Sequence, residues 1–233
     1  MKKIRASALT ALSTAMICGS PAFAMGMGFA AAESDRAIPA EARATAQAGL
    51  YQWINDFIHD DVPLGQRFVL DIQTPEQLKA ARLGRGFAMK LVHAGQLMAG
   101  GGLDRATRAS DEWRFLVMVG EHAVGLADVR RMEGRYQMVG LGAKKLAADI
   151  EATLAAHPAQ TAHLLRSDQA QADYLELPAL GSGHALYAPL LAARIDHIAT
   201  HESAANDHGL IDENALAARL RAALGHDTGA SGE

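Results

Sequence analysis

The chain has 233 residues, 49% of them hydrophobic and 21% charged, with a formal net charge of −4. That is ordinary globular composition, long enough for one large domain or two small ones. The mild acidity excludes the basic field that drives binding to a phosphate backbone, so neither nucleic acid nor, for the mature form, a membrane is expected as a partner.

The first 24 residues read as a cleavable export signal. Lys2, Lys3 and Arg5 are a positive n-region, Ala6 to Ile17 is uncharged and mildly apolar, and Ala22-Phe23-Ala24 gives the small-x-small pattern that a signal peptidase reads. The apolar run is shorter than the roughly 20 residues a spanning helix needs. A mature chain starting near Met25 is expected, periplasmic or secreted. The only cysteine, Cys18, lies inside this segment. Lipoprotein processing at Cys18 would want a small residue before it, and Ile17 stands there. If Cys18 leaves with the signal, no thiol remains for nucleophilic, disulfide or thiolate-metal chemistry.

Residues 25–38 read as a flexible leader and 39–226 as a single domain. Its first element is a long helix from Pro39 to His59. Pro39 suits a first-turn position, and Leu50, Trp53, Ile54, Phe57 and Ile58 recur at helical spacing. Val62-Pro63-Leu64-Gly65 ends it. Gln66 to Ile72 is a strand candidate. Thr74 has the pattern of an N-cap for a helix over Pro75 to Leu83, with Gln77 three residues on, and Gly84 and Gly86 are read as its stop. Phe87 to His93 is a strand candidate, and Gly95 to Leu103 a glycine-rich loop.

The strongest pattern runs from Trp113 to Leu141. Trp113, Phe115, Val117 and Val119 alternate. Turns at Gly120-Glu121 and Met132-Glu133-Gly134 separate three strand-length runs, which predicts an antiparallel meander. A helix over Ala143 to His157 follows, with Leu146, Ile150 and Leu154 on one side and Pro158 after it. Thr161 to Ser167 and Ala172 to Leu177 are strand candidates, and Gly181-Ser182-Gly183 a loop. Tyr187 to His201 has a helical pattern. Asp212 is placed to cap a last helix to Leu224, with Gly225 as its stop and residues 227–233 as a disordered tail.

Strands clustered in hairpins predict an α+β fold: a curved antiparallel sheet with the long N-terminal helix packed on it and further helices toward the C-terminus. A long helix followed by a meander resembles the order in cystatin-like and nuclear-transport-factor-2-like folds. That likeness is one of fold alone, and no motif names a family.

Four groups of residues invite chemistry. Gly140-Leu141-Gly142-Ala143-Lys144-Lys145 places glycines and lysines before a helix, where backbone N–H groups can meet an anion. It lacks the third glycine and the parallel βαβ context of a dinucleotide site, and a tight strand-to-helix turn with two solvated lysines is the preferred reading. Ser182 lies between two glycines, but Leu180 and His184 occupy the positions a nucleophile elbow reserves for glycine. His197 and His201 are four apart on a predicted helix, a spacing that suits two ligands on one metal ion, with Asp207 or His208 as a third and Glu202 nearby. Arg194 on the same stripe opposes a cation, and no Glu follows His197. His59-Asp60-Asp61 closes the first helix with two acids against its dipole.

Two function classes fit. One is a non-catalytic exported binding or accessory domain with no cofactor and no catalytic residue, whose partner is a protein, peptide or small ligand. The alternative is a metal-dependent hydrolase, with zinc held by His197, His201 and His208.

Overall fold

The computed structural model describes residues 37–59, 69–159, 161–178, 184–190, 193 and 209–227. Helix α1 covers Ala40–His59. Its buried line is Ala42, Ala46, Leu50 and Ile54, one residue every four. Trp53 and Phe57 are only partly buried, ring against ring at 5.3 Å, and Ile58 is exposed. Leu50 and Ile54 of the expected face are buried, Trp53 and Phe57 pack against the same core at its edge, and Ala42 and Ala46 extend the buried line toward the N-terminus.

Thr74 caps α2 (Pro75–Lys79) in a full capping box with Gln77, as the sequence predicts. The helix is shorter than expected because strand β1 (Arg82–Val92) begins at once. Gly84 and Gly86 belong to that strand and stop no helix. A Cβ at Gly84 would lie 2.6 Å from Met118 Cγ, and one at Gly86 2.7 Å from the Phe115 ring. The expected strand over Gln66 to Ile72 is corrected for its described part: residues 69–72 form no strand. Leu70 and Ile72 plug the core there, and the Asp71 N–H donates to the Val124 carbonyl at 2.7 Å. The expected loop after β1 holds two short helices, α3 (Ala94–Met98) and α4 (Leu103–Ala106).

The meander is present, as β2 (Thr107–Val119), β3 (His122–Met132) and β4 (Arg135–Gly142). At the second turn Glu133 and Gly134 both have positive φ, 51° and 79°. That is the backbone of a two-residue hairpin turn whose twist matches the strands. Helix α5 (Lys144–Ala156), β5 (His163–Ser167) and β6 (Ala172–Leu177) follow near their expected places. Tyr187 is not helical: β7 runs over Leu186–Pro189. Its alternation is too short to show against the longer apolar pattern that follows. After β8 (Ile211–Asp212), Asp212 Oδ1 accepts from the Ala215 N–H at 2.8 Å and opens helix α6 (Glu213–Asp227). Gly225 does not stop that helix.

The eight strands form one sheet in the order β4-β3-β2-β1-β5-β6-β7-β8. The sheet is mixed, not purely antiparallel: β1 and β5 run parallel, through Met89↔Leu164, Lys90↔Leu165 and Leu91↔Arg166. Every other neighbouring pair is antiparallel. Two antiparallel runs, each followed by a helix, thus meet at a short parallel seam. Alternate residues face opposite ways, and the core divides accordingly. On one face α5 buries Ala147 and Ile150 against Phe87, Met89, Leu116, Leu126, Leu164 and Leu175. On the other, α1 packs Leu50 and Ile54 over Val117 and Ala127, and α6 packs Leu216 and Leu220 over Leu165, Tyr174 and Tyr187.

Candidate functional site

Charged side chains enter the sheet beside the seam on both faces. On the α5 face the strands change character at one end. Leu116 on β2 gives way to Arg114 and Glu112, Leu126 on β3 to Asp128 and Arg130, Leu164 on β5 to Arg166, and Leu175 on β6 to Asp173. Period-2 alternation keeps all of these on one face. Arg114 stands directly across from Asp128, Glu112 from Arg130, and Arg166 from Asp173. Arg130 and Glu112 form an ion pair.

Arg166 and Arg114 differ in how well they are satisfied. Arg166 makes a bidentate pair with Asp173, Nε to Oδ1 at 2.8 Å and Nη2 to Oδ2 at 3.0 Å. The hydrogen bonds to Asp173 hold its guanidinium above the ordinary arginine range. The Arg114 side chain is only 9% exposed, and its Nε lies 3.0 Å from Asp128 Oδ1. That contact lacks hydrogen-bond alignment. Arg114 Nε and Nη1 and Asp128 Oδ1 are all buried without a hydrogen bond to any described residue. Burial pushes the Asp128 carboxyl above its ordinary value, against the pull of Arg114 and Arg166. Gly140 of β4 stands opposite Asp128, and a Cβ there would lie 3.2 Å from Asp128 Oδ2. Glycine at 140 avoids that tight contact with the carboxyl.

On the opposite face, Lys90 of β1 reaches across β5 to Glu176 of β6, Nζ to Oε2 at 2.6 Å. His163 of β5 stands directly across from Glu176, its Nδ1 3.5 Å from the same oxygen. Burial pushes Glu176 up, but the His163 imidazole and the Lys90 ammonium outweigh it and hold the carboxyl below its ordinary value. Tyr187, the next cross-strand neighbour of Glu176, is pushed up by burial and then by the carboxylates of Glu176, Glu213 and Asp104. This cluster joins three strands through ion-pair contacts, although Glu176 Oε2, like Asp128 Oδ1, is buried without an aligned hydrogen bond.

The residues singled out from sequence fall elsewhere. Gly140 to Lys145 is a strand-to-helix turn, with Gly142 at φ 147° and Ala143 at φ 54°. Lys144 is engaged by Asp71 at 3.4 Å. Cys18, Asp60, Asp61, Ser182, Arg194, His197, His201, Glu202, Asp207 and His208 lie outside the described residues, as does the side chain of His59. Among the described residues no three His, Cys, Asp or Glu side chains group closely enough to hold a metal ion, and no helix is long and apolar enough to cross a membrane. Sequence reasoning missed both seam clusters. The usable signal was a charge at every second position, Glu112 and Arg114 then Asp128 and Arg130, on strands otherwise patterned for burial. No family model, no curated protein and no solved structure matches this chain.

Proposed function

We propose that the chain is an exported, non-catalytic binding or accessory domain, and that its ligand docks on the charged end of the α5 face. The observation that carries this reading is Arg114: a buried guanidinium with two N–H groups unsatisfied, at the base of a patch of paired charges. An unsatisfied buried donor costs about 1–3 kcal/mol, and more when charged. Proteins keep few such groups, and an absent ligand, ion or water is a standard reason for one. The export part rests on Lys2, Lys3, Arg5 and Ala22-Phe23-Ala24. Fractionation with intact-mass measurement tests it, with a mature chain beginning near Met25 expected. The binding part is tested by a thermal-shift panel of neutral, cationic and anionic small molecules and short peptides. A saturable rise lost in Arg114→Gln is expected from at least one member. A flat panel overturns the reading.

A further inference from the structure

We infer that the ligand held at Arg114 is a small oxyanion, a carboxylate or a phosphate; this rests on the α5 face being the binding site. Three features point to that class. The groups left over are mainly donors, and on a cation: Nε and Nη1 of Arg114 against the single acceptor Asp128 Oδ1, already in ion-pair contact. Guanidinium N–H groups cannot accept, so only an acceptor satisfies them, and a charged acceptor does so most strongly. A cationic ligand would find the acids already engaged, Asp173 in both its oxygens by Arg166 and Glu112 by Arg130.

The arrangement is graded from rim to base. The side chains of Arg130, Asp128 and Arg166 are 50%, 34% and 31% exposed, while that of Arg114 is 9% exposed. An oxyanion approaching from solvent meets Arg130 and Arg166 first. Both are held by their own carboxylates, so they attract without binding tightly. It then reaches Arg114 as the Asp128 side chain turns aside. Gly140 leaves room for that turn. Asp128 is thus a competitor for the same guanidinium: a neutral side chain at 128 should bind the anion better. A merely structural ion pair would give the opposite result, since losing Asp128 would then only weaken the protein.

The test is calorimetric titration of the full chain with sodium phosphate and, separately, sodium acetate and citrate, at constant ionic strength. One saturable site is expected. Phosphate tighter than the carboxylates assigns a phosphate ligand, and the reverse order a carboxylate. Arg114→Gln should weaken binding at least about ten-fold, and Asp128→Asn should tighten it about three- to ten-fold. Arg114→Lys should fall between wild type and Arg114→Gln, because it keeps the charge and loses the planar fork. If Arg114→Gln does not fold, wild type and Asp128→Asn still decide. The inference is overturned if no oxyanion binds saturably, or if Asp128→Asn leaves affinity unchanged or lower. Should every oxyanion fail while a neutral or cationic ligand stabilises the wild type and not Arg114→Gln, the oxyanion is wrong and the binding face stands. If nothing binds, both fall.

Discussion

Lys90→Met tests whether the cluster opposite Arg114 holds the two halves of the sheet together. Lys90 Nζ and Glu176 Oε2 are 2.6 Å apart, with side chains 10% and 14% exposed. At an effective dielectric of about 20 two unit charges at that distance attract by roughly 6 kcal/mol, most of it offset by the cost of removing both from water. Methionine fills the space of the lysine stem and takes away the charge, leaving Glu176 desolvated. Breaking such a pair from one side costs about 3–5 kcal/mol. His163, 3.5 Å from the same oxygen, remains and absorbs part of the loss. About 3 kcal/mol is therefore expected, a fall in Tm of about 6–12 °C for a chain of this size. The double variant Lys90→Met/Glu176→Gln leaves no ion stranded and should recover at least half of it. Thermal unfolding at pH 7, followed by circular dichroism, reads both. A loss under about 2 °C in Lys90→Met would refute the reasoning, because Glu176 would then have to be hydrated.

The same pair fixes a sign with pH. The Glu176 carboxyl is held below its ordinary value in the folded state. Its stabilising contribution is therefore complete above about pH 4.3, the ordinary glutamate value, and is lost as pH falls through the lower folded value. Asp128, raised by burial, has the opposite sign: its cost is full at neutral pH and shrinks on acidification. Glu176→Gln should flatten the fall in stability on the acid side, and Asp128→Asn should steepen it, both read as Tm against pH.

Other substitutions check the packing. Leu50→Ala, at a fully buried position of α1, should cost about 2–5 kcal/mol in urea unfolding, and Phe57→Ala, only partly buried, clearly less. Gly125→Ala should cost about 1–3 kcal/mol, because its Cβ would lie 2.9 Å from the Gly142 carbonyl as well as against Leu70. Glu133→Asn at φ 51° and Ala143→Gly at φ 54° should each raise Tm by a few degrees, since asparagine and glycine hold left-handed backbone at less cost.

What the sequence disclosed follows the range of the interaction involved. The Thr74 capping box, the meander from Trp113 and the Asp212 cap are local, each set by residues three to ten apart, and all are present. The parallel seam is not local. Strands 82–92 and 163–167 pair residues 75 positions apart, such as Met89 and Leu164, and no periodicity in either strand names its partner. Gly84 and Gly86 misled for the same reason. A glycine after a helix reads as a stop, but here each makes room for a side chain of β2, Met118 and Phe115. The candidate site was illegible on this account too. Arg114 and Asp128 are 14 apart on neighbouring strands, while Lys90 and Glu176 are brought together only by the seam.

The seam also explains why charge collects beside it. β1 and β5 are joined by three residue pairs, whereas β1 and β2 share eight. So short a parallel junction offers few backbone bonds, and parallel pairing is slightly weaker per residue. Side chains that reach over it supply coupling the backbone does not. Lys90 spans β5 to Glu176 on one face. On the other, Arg166 is paired with Asp173 inside one half of the sheet, and Arg114 lies against Asp128 inside the other. Glu176 Oε2 and Asp128 Oδ1 are alike in lying buried without an aligned hydrogen bond; of the two clusters, only that of Arg114 also leaves buried donors without one. If an anion held at Arg114 also engages Arg166, it bridges the two halves, and ligand occupancy and seam stability should then rise together. Hydrogen exchange at the Met89, Lys90 and Leu91 amides should slow when phosphate or carboxylate is bound, and unchanged exchange at saturation would show that the site and the seam are independent.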